Sequence, residues 1–165
     1  DALNACETRP SRTLRLLVNS ENSFKVSMAR QIAAAFTAAG AATETVELPW
    51  EEYTAALAAG RFDLYYGEVR LTADWNVSSL LATGGSLNYG GWSDPQCDQL
   101  LEGCRSGGNR EAAFRGLCRY LQSQAPILPI CFKTVSTLYE SDVLEGLTPT
   151  AAEPFYGLEN HLRAN

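Results

Sequence analysis

The chain has 165 residues, of which 45% are hydrophobic and 19% charged, with a net charge of −6. That length suits one domain with a sizeable core, and the balance excludes an intrinsically disordered chain. The acidic balance argues against nucleic-acid binding, which requires a basic stripe, and no apolar run approaches the roughly 20 residues of a membrane span.

Leu14 to Val18 is a short apolar run and reads as a buried strand. Asn19 to Ser23 is a polar loop with several candidate helix caps. Phe24, Met28, Ile32 and Phe36 then recur every fourth residue with Ala29 and Ala33 beside them, which is one face of a long amphipathic helix. Gly40 is its natural stop.

Thr43 to Leu48 alternates β-branched and polar residues and reads as a second strand. Pro49 opens a helix through Ala59, with Tyr53 and Leu57 inward and Gly60 as the stop. Phe62 to Tyr66 is a third strand. Strands and helices alternating this closely predict βαβ units and a mostly parallel sheet.

Trp75 to Leu81 reads as a short helix, and Gly84 to Gly91 as a glycine-rich loop. Ser93 or Asp94 caps the next helix, and Pro95 fits its first turn. Cys97, Leu100, Leu101 and Cys104 form a core stripe on that helix. After a break at Gly107-Gly108, Asn109 caps another helix, where Phe114, Leu117, Cys118 and Leu121 repeat the stripe. Pro126 ends it. Ile127 to Phe132 reads as a buried strand, and Val135 to Tyr139 as another. The tail from Asp142 is loop.

Asp1 is not a start methionine and no basic, apolar leader opens the chain, so the sequence reads as a mature product or an excised piece. Cys6, Cys97, Cys104, Cys118 and Cys131 lack the close pairs of a zinc or redox site. A single histidine, His161, rules out a histidine-based metal cluster, and its place in the tail argues against a catalytic thiol. No phosphate-loop or dinucleotide fingerprint occurs. These absences predict a chain that is not an enzyme and carries no cofactor or metal. The cysteines on helix faces read as small core residues; Cys104 with Cys118 is the pair that would staple the two helices if a disulfide forms.

Three blocks, in order, carry a resemblance. The first runs from Leu14 to Asp63, with Trp50-Glu-Glu-Tyr53 and Leu57-Ala-Ala-Gly-Arg-Phe-Asp63. The second is Thr72-Ala-Asp-Trp-Asn76. The third joins Asn88-Tyr-Gly-Gly-Trp-Ser-Asp-Pro-Gln-Cys-Asp-Gln-Leu-Leu101 to Ala125-Pro-Ile-Leu-Pro-Ile130 and Val143-Leu-Glu-Gly-Leu147. The ordered set resembles the C-terminal lobe of family 5 extracytoplasmic solute-binding proteins, the peptide- and nickel-type binding subunits of ABC importers. Two departures stand out: Leu71 replaces an aromatic, and the Asp-Pro expected after Asn76 is absent.

The resemblance implies an α/β, periplasmic-binding-protein-like (type II) lobe with a mostly parallel central sheet flanked by helices. It implies an N-terminal extension over 1–13, a ligand-binding lobe over 14–147 and an irregular tail over 148–165. The partners it implies are a peptide or other small ligand, a missing N-terminal lobe and an importer permease. The implied location is extracytoplasmic, with lipid anchoring through a preceding segment. A ligand-sensing domain of a regulator or receptor with the same fold is the alternative.

Asp74 follows a predicted strand, where open α/β sheets bind ligands. In oligopeptide-binding relatives the matching Asp is implied to pair with the ligand's α-ammonium. A second reading stands beside it, a surface Asp capping a helix at Trp75. Trp75, Tyr89, Trp92 and Asn88 are candidate cleft residues, since aromatics supply contact area at low entropic cost. Arg70 is a candidate contact to a polar ligand, or one half of a solvated pair with Glu68.

Overall fold

A computed structural model describes residues 10–72, 74–106, 108–133, 138, 140, 148–150 and 153–158. The chain forms two compact units, Asp1–Arg70 with Ser79–Ser93, and Leu71–Ser78 with Asp94–Asn165.

The first unit is a doubly wound α/β layer. Its elements are β1 (Leu14–Asn19), α1 (Ser23–Ala38), β2 (Thr43–Leu48), α2 (Trp50–Ala58) and β3 (Leu64–Tyr66). The strands form a parallel sheet in the order β2-β1-β3, with Leu14 opposite Thr43 and Leu16 opposite Leu64. β1 is central, and its alternating side chains feed two cores. Leu16 and Val18 pack on Val26, Ala29 and Ala33 of α1. Leu17 packs on Tyr53, Ala56 and Leu57 of α2. The expected α/β class and parallel sheet are thus observed.

The inner line of α1 is only partly the one expected: Ala29, Ala33 and Ile32 face the core as expected, but Phe24 does not, and Val26 joins them. Phe24 is 58% exposed, and the buried residues are Val26, Ala29 and Ala33. Small alanines let the helix lie close to the sheet, so the bulky Phe24 is displaced to its flank. Asn22 caps α1 by accepting from the Lys25 amide at 3.0 Å. Gly40 stops the helix at φ 98°, a left-handed conformation that favours glycine. α2 starts after Pro49, and its first amide, on Trp50, donates to Glu21 Oε1 at 3.0 Å. Asp63 ties β3 to β1 by accepting from the Arg15 amide at 2.8 Å and from the Arg12 guanidinium, whose Nη1 lies 2.7 Å away. Arg12, first among the causes, holds the Asp63 carboxyl below its usual range.

α3 is a single turn from Ser78 to Leu81, shorter than the helix expected from Trp75. Trp75 sits at φ 56°, which no right-handed helix accommodates.

In the second unit, α4 (Pro95–Ser106) and α5 (Arg110–Gln124) pack as a helical hairpin. Of the two candidate caps, Asp94 takes the role, accepting from the Cys97 amide at 2.6 Å. Its other oxygen accepts from the Tyr120 hydroxyl at 2.9 Å. Asn109 caps α5 as expected, accepting from the Ala112 amide at 3.1 Å. Cys97 and Leu101 are buried on α4, but on α5 only Leu117 is, among the described residues. Phe114 and Cys118, expected in the core, face outward.

Ile127 to Phe132 is not a strand. Leu128, Ile130 and Phe132 are exposed. Pro126 and Pro129 fix φ and donate no hydrogen bond, so the segment cannot sustain a ladder. Ala125 turns the chain out of α5 in a left-handed conformation at φ 47°. The Thr150 hydroxyl accepts from the Glu153 amide at 2.9 Å. Val135 to Thr137, Tyr139, Val143 to Leu147, Cys6 and His161 lie outside the described residues.

Candidate functional site

In the second unit the segment around Asp74 is a tight turn. The Trp75 amide donates to the Thr72 carbonyl at 2.9 Å, and the Thr72 hydroxyl donates to Asp74 Oδ1 at 2.5 Å. The Asn76 amide donates to Thr72 Oγ1 at 3.3 Å. Asn76 makes the turn that leads into α3, its Oδ1 accepting from the Ser78 amide at 2.9 Å. Asp74 is therefore not a helix cap, and its carboxylate stays exposed. The Thr72 hydroxyl, nearby backbone amides and the Arg110 charge hold that carboxyl below its usual range, in that order of importance among the lowering effects. Trp75 stands half-exposed in its left-handed conformation, with the Phe132 ring edge-on at 5.2 Å. A bulky residue held there costs on the order of 1–3 kcal/mol, and such strain clusters where a side chain must be presented.

Asp74 and Trp75 border a groove of about 690 Å³ whose other side is α5. Arg110, Glu111, Phe114, Arg115, Cys118 and Arg119 line it. Their spacing places them on one side of a 3.6-residue helix. The Arg115 guanidinium pairs with Glu111 at 2.5 Å. Arg110 Nε donates to the Cys104 carbonyl at 3.0 Å. Arg119 has no hydrogen bond or ion pair among the described residues.

The other expected contacts belong to the first unit. Asn88 is committed to its own loop. Its Nδ2 donates to the carbonyls of Ala82 (3.0 Å) and Trp92 (2.6 Å), and its Oδ1 accepts from the Trp92 amide at 2.9 Å. All three bonds close the glycine loop, so this amide builds the loop. Tyr89 is partly exposed and meets Tyr65 edge-on at 6.1 Å. Trp92 is half-buried, and its indole Nε1 is buried without an acceptor among the described residues. Arg70 is exposed, and Glu68 pairs with Lys25 at 2.8 Å. Cys104 and Cys118 are both free thiols. The hairpin sets Gly103 against Ala113 and Gly116 against Leu100. Burial first, then Cys118, pushes the Cys104 thiol up.

No family model matches the chain, and no curated protein matches its sequence. Solved structures do match. The murein tripeptide binding protein MppA of Escherichia coli is similar over 75% of this chain and 26% of its own, at TM-score 0.63 and 23% identity. AppA of Bacillus subtilis, an oligopeptide-binding protein solved with a nonapeptide, is similar over 93% of this chain and 32% of its own, at TM-score 0.66 and 13% identity. NikZ of Campylobacter jejuni, solved with Ni(L-His), is similar over 66% of this chain and 24% of its own, at TM-score 0.56 and 16% identity.

The chain has the family 5 solute-binding-protein fold.

It spans about a quarter to a third of the length of the family 5 structures that it matches. Sequence reasoning missed two features of this chain. The first is the arginine face of α5, whose only signal is the spacing of Arg110, Arg115 and Arg119. The second is Asn19, which reads as loop but ends the central strand at 8% exposure, with its Nδ2 unpartnered among the described residues. A polar residue at the carboxyl end of the middle strand lies where open α/β sheets place ligands. Only the burial on both faces of β1, which sequence does not display, marks it out.

Proposed function

We propose that this chain is a lobe of an extracytoplasmic solute-binding protein serving an ABC importer, and that it captures peptides. The observation that carries the reading is the Asp74–Trp75 turn. A carboxylate kept ionised at the surface, beside an aromatic held out in a strained conformation, suits a ligand with an ammonium group and an apolar body. Asp74 takes the α-ammonium and Trp75 covers the adjoining chain. Tyr89, Trp92, Asn88 and Arg70 are assigned as further contacts, with Tyr89 offering its exposed ring and Asn88 acting through the loop that it closes. Peptide binding by MppA and AppA supports the ligand class. The short span relative to these proteins supports a second lobe outside this sequence. No helix of the described residues is long and apolar enough to cross a membrane, and attachment through a lipid on a preceding segment completes the reading.

A thermal-shift screen of peptide, nickel-chelate, haem and oligosaccharide pools tests it, repeated with Asp74→Ala. Peptides at about a hundred times Kd should add about 2.7 kcal/mol, a rise of roughly 5–10 °C for a chain of this size. The substitution should abolish the rise. Stabilisation by another pool alone would replace the peptide assignment, and peptide stabilisation unaffected by Asp74→Ala would remove the anchor.

A further inference from the structure

The groove beside Asp74 inverts the charge of the chain. The whole sequence carries −6, yet the groove sets three guanidinium groups against two carboxylates. Those charges are not equally committed. Arg115 is neutralised locally by Glu111, one turn before it. Arg110 lies close enough to Asp74 to lower its carboxyl and is tethered to the Cys104 carbonyl. Arg119, exposed at the far end, has no partner among the described residues.

The spacing along α5 sets a ruler. Arg110 and Arg119 are nine residues apart, roughly 13–14 Å along a helix rising about 1.5 Å per residue. An extended peptide advances about 3.3–3.6 Å per residue, so about four steps cover that distance. A ligand with its ammonium at Asp74, near the start of the helix, therefore brings its fifth residue to the level of Arg119. Between these ends, Trp75 and Phe114 offer half-exposed rings to the chain that runs past them.

Resting on the peptide-capture reading above, we propose that this groove selects peptides with an acidic side chain at about the fifth residue, held by Arg119. The guanidinium fork suits a carboxylate, and its exposure keeps the gain modest.

The test uses C-terminally amidated hexapeptides of alanine and serine, with glutamate, alanine or lysine at the fifth position. Amidation removes the competing terminal carboxylate. Calorimetric titration of the full chain at low salt should show the glutamate peptide binding about three- to fivefold tighter than the alanine one, the scale of an exposed ion pair. The lysine peptide should bind more weakly still. Arg119→Gln should erase the preference, so that the glutamate and alanine peptides bind alike. Arg119→Lys, which keeps the charge, should retain part of it, and about 0.5 M salt should suppress it. A glutamate preference that is absent, or that survives Arg119→Gln undiminished, overturns this inference. If the peptides still bind and Asp74→Asn weakens them all, capture survives alone. If no hexapeptide binds the wild-type chain, both fall.

Discussion

The sheet unit and the hairpin unit solve the same packing problem to different depths. In the first, β1 is covered on both faces, and Leu17 and Val18 are wholly sealed from water. In the second, Cys97, Leu101 and Leu117 are the buried hydrophobic residues among those described, and the outer side of α5 carries arginines. A strand used on both sides leaves little freedom to vary. A two-helix layer needs one narrow seam and leaves its other faces available for charge. Scaffold and recognition surface are divided accordingly.

Cavity formation should give the largest effect and test that division directly. Leu17→Ala should cost about 3–4 kcal/mol, seen as a lower urea midpoint at unchanged slope. Leu117→Ala in the hairpin should cost only about 2 kcal/mol, because the neighbouring Phe114 and Cys118 already face water. Equal costs would erase the contrast.

A pH experiment sharpens it. Tyr53 is buried, its hydroxyl donates to the Tyr66 carbonyl at 3.1 Å, and burial, then Tyr65 and Tyr89, push it up to about 12. The folded value lies above the unfolded value of about 10. Its contribution is therefore complete below about pH 10 and lost as pH rises through about 12. Urea unfolding at about pH 9 and pH 11.5 should show a loss of about 2 kcal/mol in the wild type that Tyr53→Phe lacks. A matching loss in the variant would assign the effect to another group.

The smallest effects concern the hairpin caps. Asp94→Ala removes both the α4 cap and the Tyr120 bond, and should cost about 1–2 kcal/mol. Asn109→Ala removes a cap alone, at about 1 kcal/mol. A reversed order in denaturation midpoints would mean that the Tyr120 bond contributes nothing.

The sheet unit is largely legible in the sequence because its signals are local. Thr43 to Leu48 is a strand with the bounds expected, and Gly40 and Gly60 stop their helices in left-handed conformations. Asn109 is legible as a cap for the same reason, whereas sequence narrows the α4 cap only to Ser93 or Asp94. The site is less so. Asp74 and Trp75 stand out in the sequence, but the sign of φ at Trp75 leaves no mark in composition, and it cuts the expected helix down to α3. Phe114 and Cys118 satisfy a core periodicity, but which positions of such a stripe are covered depends on what packs against the helix. Asn88 reads as a contact from its place among loop aromatics and glycines, yet its amide is consumed by backbone groups within six residues of it.

The Leu128, Ile130 and Phe132 row has a practical consequence at the bench. Three exposed apolar side chains within five residues, in a segment that also holds Pro129 and Cys131, concentrate apolar area on one short stretch of chain. Sulfate and other strongly excluded salts drive such area out of water first. The colloidal behaviour of the purified chain should therefore follow this one strip more than its overall charge, and crystallisation from such salts will tend to join molecules along it.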